Sequence, residues 1–251
     1  MMSSKRELFL LGKKLSHSFS KQFFEGKFKE NSFFKNWSYN FYEMHEIVQF
    51  NTLKLNPNFT GCNVTVPYKT AIIDYLDEVD FQAQSIGAVN TVVKEKKGNT
   101  AIFKGYNTDA GAFLQTLLPF RENIKTALIL GNGGASKAVQ YVLNTLNIEY
   151  KVISRGLENN FDNFQANWIT SADLIINCTP LGMFPNDKTC PKIPYQLLTK
   201  NHIVYDLVYN PEETVFLKKG KMQGCTIKNG LEMLYLQAEM ALQLFLNTTK
   251  N

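Results

Sequence analysis

The sequence predicts an α/β fold in two domains, and three observations carry that expectation. Strand-like and helix-like segments alternate almost throughout the 251 residues. After Pro119 the pattern turns into a plainer β-α-β rhythm with continuous apolar strands, the mark of a buried parallel sheet. The length is large for one core and comfortable for two. Hydrophobic residues make up 44% of the chain and charged residues 20%, as in ordinary globular proteins.

Taken in order, "ELFLLG" (Glu7 to Gly12) reads as a strand. "SFSKQFFEGKFKE" follows as an amphipathic helix with Phe19, Phe23 and Phe24 on one side. "SYNFYEM" is strand-like and "HEIVQFNTL" helix-like. "FTGCNVTV" alternates as a strand, and Pro67 then opens a helical pattern that places Lys69 in its first turn. "AVNTVVKEKKGNTAIFKGYN" reads as a hairpin turning at "KKGN". "TDAGAFLQTLL" is a helix with Asn107 or Thr108 as its cap. The second half runs "TALILG" as a strand, "ASKAVQYVLNTLN" as a helix, and "YKVISR", "ADLIINCT" and "HIVYDLVY" as further strands. "LEMLYLQAEMALQLFLN" closes the chain as a long amphipathic helix. The chain is expected to cross between domains near Asn107 and again near Gly230. One domain would hold 1–107 with 231–251, the other 108–230.

Charge and cysteine usage narrow the function classes. The net charge is +5, but lysines are scattered, with no arginine-rich stripe, basic tail or aromatic platform. Nucleic acid is therefore not an expected partner. No stretch approaches a membrane span, and the apolar run near the N-terminus is too short for a signal peptide. Cys62, Cys178, Cys190 and Cys225 form no C-x-x-C pair, and Cys62 and Cys178 lie in apolar strands as small buried thiols. This usage suits a reducing, cytoplasmic setting. His17, His45 and His202 are isolated, so no metal site is expected.

The strand "LIL" leads directly into Gly131-Asn132-Gly133-Gly134, and a helix follows. Strand, tight glycine turn and helix N-terminus together make a phosphate site, because the free N–H groups donate to a pyrophosphate's charged oxygens. Ser136 stands at the sixth position, so the full G-x-G-x-x-G is not present. The next strand ends in Ser154-Arg155-Gly156, with no carboxylate for a ribose 2′-hydroxyl. A planar guanidinium suits a 2′-phosphate instead, which points to NADP.

Candidates for chemistry lie outside that nucleotide-binding stretch. Ser18 and Ser20 open the first helix, where hydroxyls cap it or hold a carboxylate. Thr65 and Lys69 flank Pro67, Asn90 lies in an extended segment, and Asp109 sits at a helix start, where an anion is comfortable. Each alone reads equally as a cap or a surface group. Lys69 is awkward, since a cation is unfavourable at a helix N-terminus. It admits three readings: surface charge, anion binding or acid/base chemistry. Together the set forms the lining that a polyhydroxylated, anionic small molecule needs.

In these motifs, and in their order along nearly the whole chain, the sequence resembles the shikimate dehydrogenases. "LSHSFS" is similar to that family's substrate-carboxylate motif, which implies Ser18 and Ser20 as carboxylate ligands. "NVTVPYK" implies Thr65 as a substrate contact and Lys69 as the catalytic residue. "GAVNT" implies Asn90, and "GYNTDA" implies Asp109 as the partner of Lys69. "GNGGASKA" resembles the cofactor loop, with Gly131, Asn132, Gly133, Gly134 and Ala135. "NCTPLGM" implies Thr179 on the cofactor side. "YDLVYNPEETVFL" brings Leu207 and Tyr209, and "NGLEMLYLQA" brings Gly230 near the nicotinamide and Gln237 on the substrate.

The resemblance implies an N-terminal α/β substrate domain, a Rossmann-like NADP-binding domain, and a final helix returning to the first. It implies NADPH-dependent reduction of 3-dehydroshikimate to shikimate, in chorismate and aromatic amino-acid biosynthesis, by a monomer or homodimer. Two positions depart from the family pattern. Ser154-Arg155-Gly156 stands where Asn-Arg-Thr is usual, removing one phosphate-binding hydroxyl, and Leu207 stands where methionine is common. Two rivals remain open: a quinate/shikimate dehydrogenase that uses NAD, and a catalytically silent NADP-binding regulatory protein. Arg155 argues against the first, and intact Lys69 and Asp109 argue against the second.

Overall fold

The computed structural model describes residues 5–15, 19–98 and 100–248. The chain divides into two units, Met1–Asp109 with Tyr235–Asn251, and Ala110–Leu234.

The first unit is built on a mixed sheet. Its elements are β1 (Arg6–Gly12), α1 (Ser20–Glu30), β2 (Trp37–Glu43), α2 (Phe50–Lys54), β3 (Phe59–Val64), β4 (Glu78–Val79), α3 (Phe81–Ile86), β5 (Thr91–Lys97) and β6 (Thr100–Tyr106). The strand order among the described residues is β2-β1-β3-β5-β6-β4. β1 pairs in parallel with both β2 and β3, β5 runs antiparallel to β3 and β6, and short β4 joins β6 in parallel. The central strands bury both faces, as their runs "LFLL" and "CNV" require. One core gathers Phe9, Phe50, Phe59, Tyr68, Ile72 and Phe103. A second gathers Leu8, Leu10, Phe24, Tyr39 and Phe245. Phe245 lies on α8 (Leu231–Asn247), so the last helix completes this unit's packing. Ser18 and Asn99, the last residue of the expected "KKGN" turn, lie outside the described residues.

The second unit begins within α4 (Thr108–Leu117) and continues through β7 (Thr126–Leu130), α5 (Gly134–Thr145), β8 (Glu149–Ile153), α6 (Asn167–Thr170), β9 (Leu174–Asn177), β10 (Ile203–Asp206), α7 (Val215–Met222) and β11 (Thr226–Lys228). Its sheet is parallel throughout, in the order β11-β10-β9-β7-β8. The order reverses at β7, and a doubly wound sheet opens a ligand crevice outside the carboxyl ends of the strands at such a switch point. The loops after β7 and β9 stand there. This is the Rossmann-like plan expected of the second half.

The segment after Pro67 corrects a sequence expectation. Residues 66–70 form successive turns, and only Ala71–Tyr75 forms a single 3-10 stretch. The reason lies in the backbone partners. Tyr68 N–H bonds to Thr65 O at 3.0 Å, a one-turn pattern, and the Lys69 carbonyl accepts from Val89 N–H at 2.7 Å. That carbonyl is spent on the neighbouring segment, so no α-helical ladder starts here. Lys69 therefore does not sit against a helix dipole.

Candidate functional site

In the first unit, three chain segments interlock at the carboxyl end of β3. The 88–91 segment is clamped on both sides: Val64 N–H donates to Asn90 O at 2.8 Å, and Asn90 N–H donates to Tyr106 O at 3.0 Å. Its neighbour Val89 holds the Lys69 carbonyl. The backbone thus brings Lys69, Asn90 and the start of α4 into one cluster.

The side chains complete it. Lys69 Nζ donates to Asp109 Oδ2 at 2.5 Å, with the lysine side chain 15% exposed and the aspartate 7%. Asp109 Oδ1 accepts from Asn90 Nδ2 at 2.9 Å. Asn90 Oδ1 accepts the Thr108 backbone N–H at 2.8 Å, so Asn90 caps α4 from a distant segment. A backbone N–H can donate only to the amide oxygen, which fixes the Asn90 flip and turns its NH2 toward Asp109. Asn107, one of the two expected caps, directs its side-chain amide to Ala88 O at 2.8 Å. A nearly buried carboxylate holding one cation and one amide donor restricts the lysine to one position at the edge of solvent. Such an ammonium can donate a proton, or a hydrogen bond, to a substrate oxygen.

The polar lining extends beyond the expected residues. Asn63, buried on β3, accepts from Tyr39 Oη at 2.9 Å and donates to Thr91 Oγ1 at 3.2 Å. Thr91 Oγ1 donates to Asn90 Oδ1 at 3.1 Å. Ser20 is the buried first residue of α1, a helix with no side-chain N-cap hydrogen bond. Burial pushes the Tyr39 hydroxyl well above the ordinary tyrosine range, so it is a neutral donor. Sequence reading missed Asn63, Thr91 and Tyr39. The available signal was an asparagine in an otherwise apolar buried strand. Thr65 stands just past β3, its N–H bonded to Leu11 O at 2.8 Å, and Gln237 is half-buried on α8.

In the second unit, Gly131 has φ +108°, a conformation that favours glycine. A β-carbon there would lie 2.9 Å from Thr179 Cγ2 and 3.1 Å from the Cys178 carbonyl carbon. Gly131 therefore lets the turn after β7 pack on the loop after β9, bringing it beside Thr179. Gly133 differs: a β-carbon there meets nothing within 4 Å. Asn132 and Gly133 are exposed, Gly134 opens α5, and Ala135 lies half-buried in its first turn. Thr179 is anchored by Asn177 Oδ1, which accepts its N–H at 3.0 Å and its hydroxyl at 2.6 Å. Asn177 in turn donates to buried Asp206 at 2.9 Å. Burial raises the Asp206 carboxyl to about 7, against donors from Thr214, Val208 and Asn177 that pull it down.

Leu207 and Gly230 also meet, since a β-carbon on Gly230 would fall 2.1 Å from Leu207 O. Ser154 follows β8 and accepts Leu157 N–H, a short turn that leaves the Arg155 side chain exposed. Tyr209 is half-buried in the same unit. Among the described residues no group of three or more His, Cys, Asp or Glu side chains could hold a metal ion, and no helix is long and apolar enough to cross a membrane.

A doubly wound parallel unit with a glycine turn at its switch point, joined to a mixed-sheet unit with a lysine–aspartate cluster, defines a two-domain α/β protein with a Rossmann-like domain. The family model for the shikimate dehydrogenase substrate binding domain matches residues 10–92. The shikimate dehydrogenase (NADP(+)) of Desulforamulus reducens is 34% identical, over 96% of this chain and 89% of its own. The crystal structure of shikimate dehydrogenase 1 from Peptoclostridium difficile superposes with a TM-score of 0.82 at 32% identity, covering 97% of this chain and 92% of its own. The shikimate 5-dehydrogenase of Thermus thermophilus, solved with NADP(H) and shikimate, gives 0.82 at 30% identity, covering 96% and 94%. The chain belongs to the shikimate dehydrogenase family.

Proposed function

We propose that this chain reversibly reduces 3-dehydroshikimate to shikimate with NADPH, as an oxidoreductase acting on a CH–OH group, with Lys69 and Asp109 as its catalytic pair. The observation that carries the reading is the buried Lys69–Asp109–Asn90 cluster in a chain of this family. The alternative readings, NAD-linked quinate chemistry and a silent regulator, are not favoured, because the curated relatives are NADP(+) shikimate dehydrogenases.

Lys69 Nζ would donate to the oxygen of the substrate's ring ketone as negative charge develops there during reduction, and take the proton back in the oxidising direction. Asp109 Oδ2 holds that ammonium, while Asn90 keeps the other carboxylate oxygen occupied and Asp109 also meets a substrate hydroxyl. Ser18 and Ser20 would hold the substrate carboxylate, with Thr65, Asn90, Tyr209 and Gln237 as further substrate contacts. The first unit is thus the substrate domain and the second the nucleotide domain.

The second unit fits a dinucleotide. A buried strand ends in a turn that only glycine can make at Gly131, and Gly133 faces open space at the N-terminus of α5. Gly131, Asn132, Gly133, Gly134 and Ala135 would hold the pyrophosphate. Ser154 and Arg155 would take the 2′-phosphate, and Thr179, Leu207 and Gly230 would line the nicotinamide side. NADP, when bound, supplies the hydride acceptor or donor. The protein acts in the cytoplasm on a small molecule, as a monomer or homodimer.

The test is absorbance at the NADPH band with purified protein, shikimate and NADP. Absorbance should rise, and kcat/KM should be higher with NADP than with NAD. No turnover on shikimate would sink the reading. A preference for NAD and quinate would replace it with the rival.

A further inference from the structure

The cluster around Lys69 does not end at Asn90. Tyr39, Asn63, Thr91, Asn90 and Asp109 are all buried and form one continuous hydrogen-bonded chain on the first unit. Every link has a fixed sense. Neutral Tyr39 donates its only hydroxyl proton to Asn63 Oδ1 at 2.9 Å. With Asn63 Oδ1 occupied, its NH2 faces Thr91 Oγ1 at 3.2 Å. Thr91, now an acceptor, sends its own proton to Asn90 Oδ1 at 3.1 Å. That reinforces the flip of Asn90 that aims its NH2 at Asp109. All the donors point along one direction, and chains of this kind polarise one another in a low-dielectric interior.

We infer that Tyr39 is a positioning residue for the proposed reaction: its hydroxyl fixes Asn63 and, through Thr91, the Asn90–Asp109 pair that holds Lys69. Tyr39 has a packing role as well, since its ring stacks on Phe24 at 4.3 Å with a 7° interplanar angle. The hydroxyl's role is separable from that stack. Without it, Asn63 Oδ1 loses its donor and the amide is free to flip. A flipped Asn63 takes the Thr91 proton away from Asn90. The backbone N–H of Thr108 still holds Asn90, so the cluster loosens rather than collapses.

The inference rests on the functional reading above, and the two are tested separately. Wild-type turnover on shikimate with NADP tests the reading; its absence would remove both. Tyr39→Phe keeps the stack and deletes the hydroxyl. It should lower kcat for shikimate roughly three- to tenfold and raise the shikimate KM, while the NADP KM stays within twofold. Thr91→Val breaks the same chain two links on, away from the Phe24 stack, and should lower kcat by a similar factor. The double variant should be no more than about twofold worse than the weaker single, because one broken chain cannot be broken twice. A folded Tyr39→Phe with kcat within twofold of wild type overturns the inference. So do losses that multiply in the double variant. If Tyr39→Phe does not fold, Thr91→Val alone decides: unchanged kcat there is fatal.

Discussion

At the residue scale, the question is why a lysine stands beside Pro67 at all. A surface charge would be solvated and unpaired, whereas Lys69 is mostly buried and held at 2.5 Å by a carboxylate. A structural ion pair would account for that geometry, because removing one partner of a buried pair leaves a stranded charge. The two roles separate in the Lys69→Ala variant. If the lysine only supports the fold, the variant is less stable but turns over normally below its melting temperature. If it handles the proton, kcat falls by about 10²- to 10⁴-fold while NADP still binds. We expect the second outcome, read from steady-state turnover together with NADP affinity by fluorescence titration. A kcat within a few-fold of wild type would reject the catalytic role.

At the element scale, the strand-turn-helix after β7 carries two glycines with different reasons to be glycine. Gly131 sits at φ +108° against the loop after β9, so Gly131→Ala is strained in its backbone and clashes with Thr179 and Cys178. Strain of this kind costs on the order of 1–3 kcal/mol, and the thermal midpoint should fall with it. Gly133 has ordinary dihedrals and open space beyond it. Gly133→Ala should leave the midpoint nearly unchanged, yet raise the NADP KM about tenfold, because its methyl stands where a phosphate must approach the backbone. Equal midpoint losses in both variants would mean that both glycines serve packing alone.

The same scale explains what was legible in the sequence. The buried parallel strands "LIL", "LIIN" and "IVYD" are short apolar runs and were visible as such. The hairpin of β5 and β6 was visible from its alternation and turn residues. β4 and β11 are two and three residues long and carry no periodicity to find. The helix expected after Pro67 failed because Val89, remote in sequence, takes the Lys69 carbonyl. Lys69, Asn90 and Asp109 could be picked out as candidates, but their grouping depends on backbone bonds among β3, β6 and the 88–91 segment. Tyr39 was invisible for a plainer reason: a tyrosine in a strand looks like core until its hydroxyl's partner is known.

At the scale of the whole molecule, the two units have separate apolar cores, and each contains one of the chain's two tryptophans. Trp37 lies in the first, under the Arg6 guanidinium and against Phe34. Trp168 lies in the second, packed edge-on to Phe164 beneath Lys151. A ligand that binds only folded protein stabilises by mass action, by about 2.7 kcal/mol at a hundred times its Kd. If NADP is held by the second unit, as proposed, that stabilisation belongs first to the unit reported by Trp168. Trp37→Phe leaves Trp168 as the only indole reporter, and Trp168→Phe leaves Trp37. With saturating NADP, the fluorescence midpoint of the Trp37→Phe variant should rise by roughly 10 °C, the shift expected for a domain of about this size. The midpoint of Trp168→Phe should rise by less than half as much. Equal shifts would show that the two cores melt as one cooperative unit, and the assignment of the nucleotide to the second unit would then need a local probe such as NADP-dependent hydrogen exchange at Gly131 to Ala135.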